Sequence, residues 1–460
     1  MATAALNATE PTNSKYLSSV LLALVVCCFW AILGMSFTLP EREDFNVIGQ
    51  ADWVGRLKLL ARIGSFGVLG LVCLISLRME RFKKALAIHV PIILFLGFAV
   101  ASSRWSSTPS VSMIQSFSLA IMVMVSICVA TLADTPKKIG WVWTSLNVLF
   151  IGRSLAMVIV ELLTGDGISR DNTSYWHATD GADTCGLGLV ILIGTHFLLG
   201  NKMSKLLLIP GVLTYAVLFV LVQNRFIMVL DPFIVLTILV LAAKRKIIFG
   251  IVAVVAFVGP LVLIADGYYG TLSEITGATA KFADRHDSAS VGSFSGRDEM
   301  WALILEEFKY SPIIGHGYMV TSRKGEFECW YETRNHDAHN QMLHVMVTTG
   351  FVGLGLFLFA LAIPIKLIWQ SLLRKGEPGK SARLIAFVFA WLLMWGLLNV
   401  SFSGYINASF ITFYTVMGLA IAQFGISTDE NPNGFELSTR PNRLSSTDAT
   451  MQLGQASNPA

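Results

Sequence analysis

Charged residues are scarce in this chain, at 14% of 460 residues, against about 25% in an ordinary soluble domain. With 54% of the residues apolar, that deficit excludes a soluble globular protein and puts the chain in a bilayer. A cleavable leader is also missing, because Met1–Lys15 lacks its layout and the first apolar run is long enough to remain as an anchor. No internal repeat, direct or inverted, divides the apolar runs into matched halves of the kind many transporters use. There is no HExxH, no cysteine cluster, no Walker sequence and no dinucleotide fingerprint. The formal charge of +4 follows from the placement of basic residues around the membrane, and nothing resembles a nucleic-acid patch. Of only six cysteines, Cys27, Cys28, Cys73 and Cys128 fall inside apolar runs and read as core. Cys185 and Cys329 face the outer side, where an oxidising compartment leaves a Cys185–Cys329 disulfide open.

What the chain does have is length of apolar sequence. Runs of about 17 to 25 residues, enough to cross roughly 30 Å of hydrocarbon, lie at 17–37, 57–77, 84–101, 113–132, 139–163, 184–199, 204–222, 226–243, 247–265, 346–369, 382–400 and 405–424. The fold class is therefore all-α, a polytopic membrane protein with about twelve transmembrane helices and a large external loop between helices 9 and 10. The chain divides into an N-terminus at 1–16, helices 1–9 over 17–265, the loop 266–341, helices 10–12 over 342–424, and a disordered tail at 425–460 rich in Ser, Thr, Asn and Pro. Basic residues cluster after every second span: Arg78, Arg81, Lys83 and Lys84; Lys137 and Lys138; Lys202 and Lys205; Lys244, Arg245 and Lys246; Arg374, Lys375, Lys380 and Arg383. About fifteen stand there against five in the short loops opposite, which makes both termini cytoplasmic and the 266–341 loop external.

Four arginines stand out in this topology. Arg62 and Arg153 lie roughly 8 and 15 Å below the outer boundary at about 1.5 Å per helical residue, within reach of it by snorkelling. Arg225 is at the outer mouth of spans seven and eight, and Arg297 belongs to the external loop. An ionised arginine in a span costs at least about 2.5 kcal/mol, so each needs a partner. Asp231 and Glu161 are the available acids, and an Arg153–Asp231 bridge and an Arg62–Glu161 pair are the bland readings. Positive charge remains in excess, and guanidinium forks suit phosphate oxygens.

Five of the eight histidines sit in the external loop or just beyond it. Ser295 is placed to cap a short helix with Asp298 and Glu299 in its first turn. Apolar residues follow at Trp301, Leu303, Ile304, Leu305 and Phe308, and Arg297 sits at its start. The pattern predicts an amphipathic helix on the membrane surface. Pro312 ends it, and Gly315-His316-Gly317 reads as a flexible turn. In Asn335-His336-Asp337-Ala338-His339-Asn340, helical spacing would put His336, His339 and Asn340 on one face. Three readings compete for this segment: a metal site, a hydrogen-bonded interfacial histidine, and His339 as a proton-handling group, since imidazole titrates near neutral pH. His286, His316 and His344 read as structural or solvated.

These residues together resemble the O-antigen ligase and Wzy-type polysaccharide polymerase superfamily, in particular its exopolysaccharide polymerase branch. The resemblance rests on Ser295-Gly296-Arg297 with Trp301, on Pro312 with Gly315-His316-Gly317, and on Ala338-His339-Asn340 before Gly350-Phe351-Val352-Gly353-Leu354. Trp105-Ser106 with Pro109 is similar to the family's Trp-Ser-x-x-Pro segment. Two departures stand beside it. The family's Ser-x-Ser-Arg motif is Val222-Gln223-Asn224-Arg225 here, so only the arginine carries over. Its His-Lys-Asn segment survives at most as His177 in Trp176-His177-Ala178.

The resemblance implies glycan transfer from undecaprenyl diphosphate to an acceptor hydroxyl, on the periplasmic side of the bacterial inner membrane, with no cofactor and no metal. Arg225 and Arg297 would hold the diphosphate as it leaves, and His339 would act as base toward the acceptor hydroxyl or orient it. Asn340 would hold the histidine or the substrate, Arg62, Arg153, Trp301 and His336 are the other candidates for binding substrate, and Trp301, Tyr310, Tyr318, Trp330 and Tyr331 read as sugar-stacking or interfacial aromatics. The implied partners are the lipid-linked glycan, an acceptor glycan or lipid A-core, the bilayer and a chain-length regulator, with no nucleic acid. Polymerase is favoured, and ligase is the alternative. A transporter of anionic lipid-linked glycan would also want outer arginines, but the cytoplasmic halves of the spans are nearly free of ionisable residues.

Overall fold

The computed structural model describes residues 12–34, 36, 53–165, 168–169, 175–222, 224–242, 297–320, 338–373, 379–403 and 405–426. They are almost wholly helical. In chain order the helices are α1 (Thr12–Gly34), α2 (Trp53–Ser76), α3 (Glu80–Ile88), α4 (Val90–Ser102), α5 (Pro109–Leu132), α6 (Pro136–Thr164), α7 (Ala178–Phe197), α8 (Lys202–Val222), α9 (Arg225–Ala242), α10 (Arg297–Phe308), α11 (Gln341–Leu373), α12 (Lys380–Gly396) and α13 (Ala408–Ala420). Strands Ile168–Ser169 and Trp176–His177 pair in parallel just before α7.

Seven of these helices are long and apolar enough to cross a membrane, or eight if the bent pair α3–α4 counts as one span. The 247–265 run, the loop from 266 to 296 and the 427–460 tail lie outside the described residues.

Local chemistry sets the helix ends. Thr135 accepts from the Lys138 amide with Pro136 in the first turn, and Gly165 ends α6 at φ +73°. Asn407 accepts from the Phe410 amide at 2.8 Å to start α13. The α3–α4 pair bends by 61° at buried His89, whose ring nitrogens lie 2.7 Å from the Ala85 carbonyl and 2.8 Å from Ser126 Oγ.

α13 and α5 form the centre of the bundle, and α13 is buried along its length. α2 and α8 are peripheral, with Leu60, Ile209 and Leu213 exposed as lipid-facing side chains are. The core is aromatic at the end where α5 and α13 begin, hereafter the upper end. Phe402 stacks on Phe413 at 4.5 Å, and Phe357 lies 5.3 Å from Phe95.

α11 differs from the expected span 346–369. Its 33 residues would extend about 50 Å, well beyond a hydrocarbon layer of about 30 Å. It is broken at Gly350, where φ is 66° and ψ is −172°. Phe351–Leu373 is long enough to cross alone, and Gln341–Thr349 is a separate short helix seated in the upper end.

Candidate functional site

Breaking a helix in the bundle frees backbone groups that must be satisfied. The segment after α10 does this. His316 and Gly317 amides donate to the Val347 and Thr348 carbonyls at 3.4 and 2.8 Å, closing the end of the short helix. Phe351 and Val352 amides donate to the Pro312 and Ile313 carbonyls at 2.8 and 3.1 Å, opening the long one. Gly315 and Gly317 are therefore part of a rigid two-way clamp, not a flexible turn. Their backbones approach so closely that a Cβ at Gly315 would stand 2.5 Å from the Thr348 carbonyl, and one at Gly317 would overlap Ser106. Trp105-Ser106 with Pro109, Gly315-His316-Gly317 and Gly350 are thus one structural unit. Tyr318 follows, fully buried, its amide donating to Ser102 Oγ at 2.8 Å and its hydroxyl to the Ser403 carbonyl at 3.0 Å. Burial pushes its phenol pKa up, so it stays a neutral donor and is a core tie, not a sugar platform.

α10 also departs from expectation. Its apolar face does not rest on the membrane. Met300, Ile304 and Phe308 pack with Val320, Ala338 and Val347, so the helix lies against the short half of α11. One turn from Arg297, Trp301 Nε1 donates to the Ala338 carbonyl at 2.8 Å. The helix that carries Arg297 is thereby fastened to the residue before His339.

His339 is not on a helix, as the spacing suggested. Its φ is +43°, a left-handed value shared among the described non-glycine residues only by Met319. Asn340 then caps α11, accepting from the Met342 and Leu343 amides at 3.0 Å while Nδ2 donates to the Leu397 carbonyl at 3.1 Å. Gln341 is fully buried. Its Oε1 accepts from the Ser401 and Phe402 amides at 2.8 and 2.9 Å, and its Nε2 donates to Ser403 Oγ. His339 therefore stands between two fixed points, Ala338 held by Trp301 and Asn340–Gln341 held by the loop after α12. His336 lies outside the described residues, as do Cys329, Trp330 and Tyr331.

Arg225 opens α9 at the same end. Asn224, in the place of the second serine of the Ser-x-Ser-Arg pattern, caps that helix by accepting from the Phe226 and Ile227 amides. Phe226 lies 6.0 Å from Trp395 of α12, and Trp395 is two residues before Leu397, the partner of Asn340. One turn lower on the same helix, Trp391 Nε1 donates to Asp231 Oδ1 at 2.6 Å and ties α9 to α12 again. The starts of α9 and α11 thus flank the upper end of α12, with α10 fastened to the latter. The Arg225 side chain is outside the described atoms.

The other two arginines take different places. Arg153 is buried and donates to the Leu33 carbonyl at 2.8 Å, to Thr184 Oγ1 at 3.1 Å and to Ser36 Oγ. The expected Arg153–Asp231 bridge is not formed: Asp231 Oδ1 accepts from Trp391 Nε1, while Arg153 turns to Leu33, Ser36 and Thr184. Glu161 accepts from the Ile168 amide at 2.8 Å rather than from Arg62. Arg62 lies half-buried one turn above Phe66, which meets Phe117 of α5 at 4.7 Å. Among the described residues no hydrogen bond or ion pair links Arg62 or Arg153 to the α10–α11–α12 group. Asp183 accepts from the Ser409 amide at 2.8 Å and from its hydroxyl, bracing the start of α13. Cys185 is buried in α7 and free, and Cys329, its expected disulfide partner, lies outside the described residues. Among the described residues no group of three or more His, Cys, Asp or Glu is arranged to hold a metal.

Gln341, the Leu397–Ser403 loop and the clamp at Gly350 were missed from sequence. The preference for asparagine at helix starts could have moved the beginning of α11 to Asn340. No local signal reveals Gln341, whose partners are sixty residues away.

Residues 187–358 match the family model Wzy_C, O-Antigen ligase. The match bears out the superfamily resemblance read from the motifs and supports glycan transfer of ligase or polymerase type. It includes Arg225, Arg297, Trp301, His339, Asn340 and Gly350, and leaves out Arg62 and Arg153. No curated protein matches the chain.

Proposed function

Taking residues 187–358 as an O-antigen ligase domain, we propose that the protein transfers a glycan from undecaprenyl diphosphate to an acceptor sugar hydroxyl at the periplasmic face of the bacterial inner membrane, polymerising exopolysaccharide or O-antigen repeats. In this reading the chain crosses the membrane twelve times, with both termini cytoplasmic and 266–341 periplasmic. The acceptor hydroxyl attacks the anomeric carbon, and the bond from that carbon to the diphosphate oxygen breaks. The hydroxyl proton passes to the His339 ring, and the bonding electrons leave with undecaprenyl diphosphate. Arg225 and Arg297 stabilise the charge that develops on the leaving group. Trp301 and Asn340 act on the backbone around His339, and His336 and Arg62 are the remaining candidates for substrate contact. We assign Arg153 to holding α1 against α6 and α7.

The observation that carries this reading is the left-handed backbone of His339. Such a conformation costs a non-glycine residue of order 1 kcal/mol or more and persists where the surroundings over-determine it. Trp301 on one side and Asn340 with Gln341 on the other supply that constraint. The test is a reaction of purified protein with lipid-linked repeats alone. Chain elongation supports polymerisation, whereas transfer only after lipid A-core is added would establish the ligase alternative.

A further inference from the structure

Along α10 the outward face is mixed: Glu299 and Glu306 are exposed beside Leu305, which is 46% exposed, and Lys309 pairs with Glu306 at 2.5 Å. From the next residue the exposed large side chains are all apolar or amphipathic, with Tyr310 81%, Ile313 65% and Ile314 40% exposed. These three side chains form a projecting corner in the chain just before the clamp. The same clamp bonds that close the helix break, Phe351 N–H to the Pro312 carbonyl and Val352 N–H to the Ile313 carbonyl, fix the corner beside the first turn of the long half of α11. Phe351 and Val352 are themselves 59% and 42% exposed. They begin the outward apolar face that continues through Leu358, Phe359 and Trp369. The corner therefore extends a surface that already faces lipid.

We propose that Tyr310–Ile314 is an interfacial finger that enters the acyl region of the outer leaflet and sets the height of the site above the membrane. A contiguous patch of this kind facing water would be costly, and its position beside the start of a span makes lipid its natural cover. Lys309 and Tyr310 fall where amphipathic side chains occupy head-group depth. The finger is rigid because its backbone is bonded into the Gly350 break, and that break supports the short helix that begins beside His339. Lipid contact is thus transmitted to the site through a continuous run of hydrogen bonds. The naming of the outer leaflet and the kinetic consequence rest on the proposed function, whereas immersion of the finger does not.

The experiment places benzoylphenylalanine singly at Ile313, at Phe359 and at Glu299 in the full chain, reconstituted in vesicles of phosphatidylethanolamine and phosphatidylglycerol carrying radiolabelled acyl chains. Illumination is expected to attach lipid at 313 and at the span control 359, and not at 299. Lipid attachment at 359 without attachment at 313 would overturn the proposal whatever reaction the protein catalyses. In the kinetic arm, the double variant Ile313→Ser/Ile314→Ser is expected to raise KM several-fold for a long-chain lipid-linked donor, with kcat preserved and no change for a short-chain, water-soluble donor. An equal rise in KM for both donors, or none for either, would refute the role of the finger in setting the height of the site.

Discussion

Replacing Trp301 by Phe removes the hydrogen bond to the Ala338 carbonyl. The phenyl ring keeps most of the contact with the cluster of Met300, Ile304 and Ala338, while the Ala338 carbonyl loses its donor at 2.8 Å. Ala338 is completely buried, so its carbonyl has little chance of finding water instead. Leaving a buried acceptor unpaired costs about 1–3 kcal/mol. If that bond serves to hold His339 in its left-handed backbone, the penalty falls on the transition state, and turnover should drop by about 5- to 150-fold. The assay is glycan transfer in proteoliposomes, read as glycan length on a gel, for Trp301→Phe, His339→Ala and the double variant. Because Trp301 is argued to act through His339, the double variant should be no slower than His339→Ala alone. Multiplicative losses in the double variant would refute the link, and so would a Trp301→Phe protein with undiminished turnover.

Gly350→Ala places a methyl group against the Ile313 carbonyl and 2.6 Å from the Gly315 nitrogen, in a backbone region that is essentially glycine-only. A loss of about 3 kcal/mol is expected, visible as a fall of several degrees in apparent Tm in detergent; an unchanged Tm would contradict the clamp. Trp391→Phe leaves the buried Asp231 carboxylate without its indole donor and should destabilise by about 1–3 kcal/mol. Asp231→Asn keeps an acceptor there, so its Tm should stay closer to that of the parent than that of Trp391→Phe. Gln341→Leu strips the Ser401 and Phe402 amides of their acceptor and should cost about 2 kcal/mol or more in the same measurement. Gln341→Glu retains both bonds and should restore most of the loss.

Legibility in the sequence followed interaction range. Apolar length marked the helices, because crossing hydrocarbon demands it of each segment separately, and the periodicity of Trp301 to Phe308 gave α10, whereas Ser295, its expected cap, lies outside the described residues. Periodicity also showed that α10 has an apolar face, but not that protein rather than lipid covers it. The break at Gly350 was invisible because both halves of α11 are apolar, and only the partner carbonyls of Pro312 and Ile313 make it stable. Similarly, Asp231 and Arg153 were both in the outer half of the bundle, which made a bridge plausible on charge alone. Each instead bonds to neutral groups, Trp391 in one case and Leu33, Ser36 and Thr184 in the other, with Asp231 Oδ2 and Arg153 Nη2 left unbonded. The motif residues were legible as a set, yet the Trp301–Ala338 bond that joins two of the motifs depends on tertiary packing.

The most direct measurement is stoichiometry of a single turnover by the purified protein, given undecaprenyl diphosphate-linked oligosaccharide and no other lipid acceptor. The account predicts one undecaprenyl diphosphate released for each glycan transferred, with the yield nearly abolished in His339→Ala although that protein folds and binds donor. Transfer at the parental rate by His339→Ala, or glycan consumed without release of the diphosphate carrier, would contradict it.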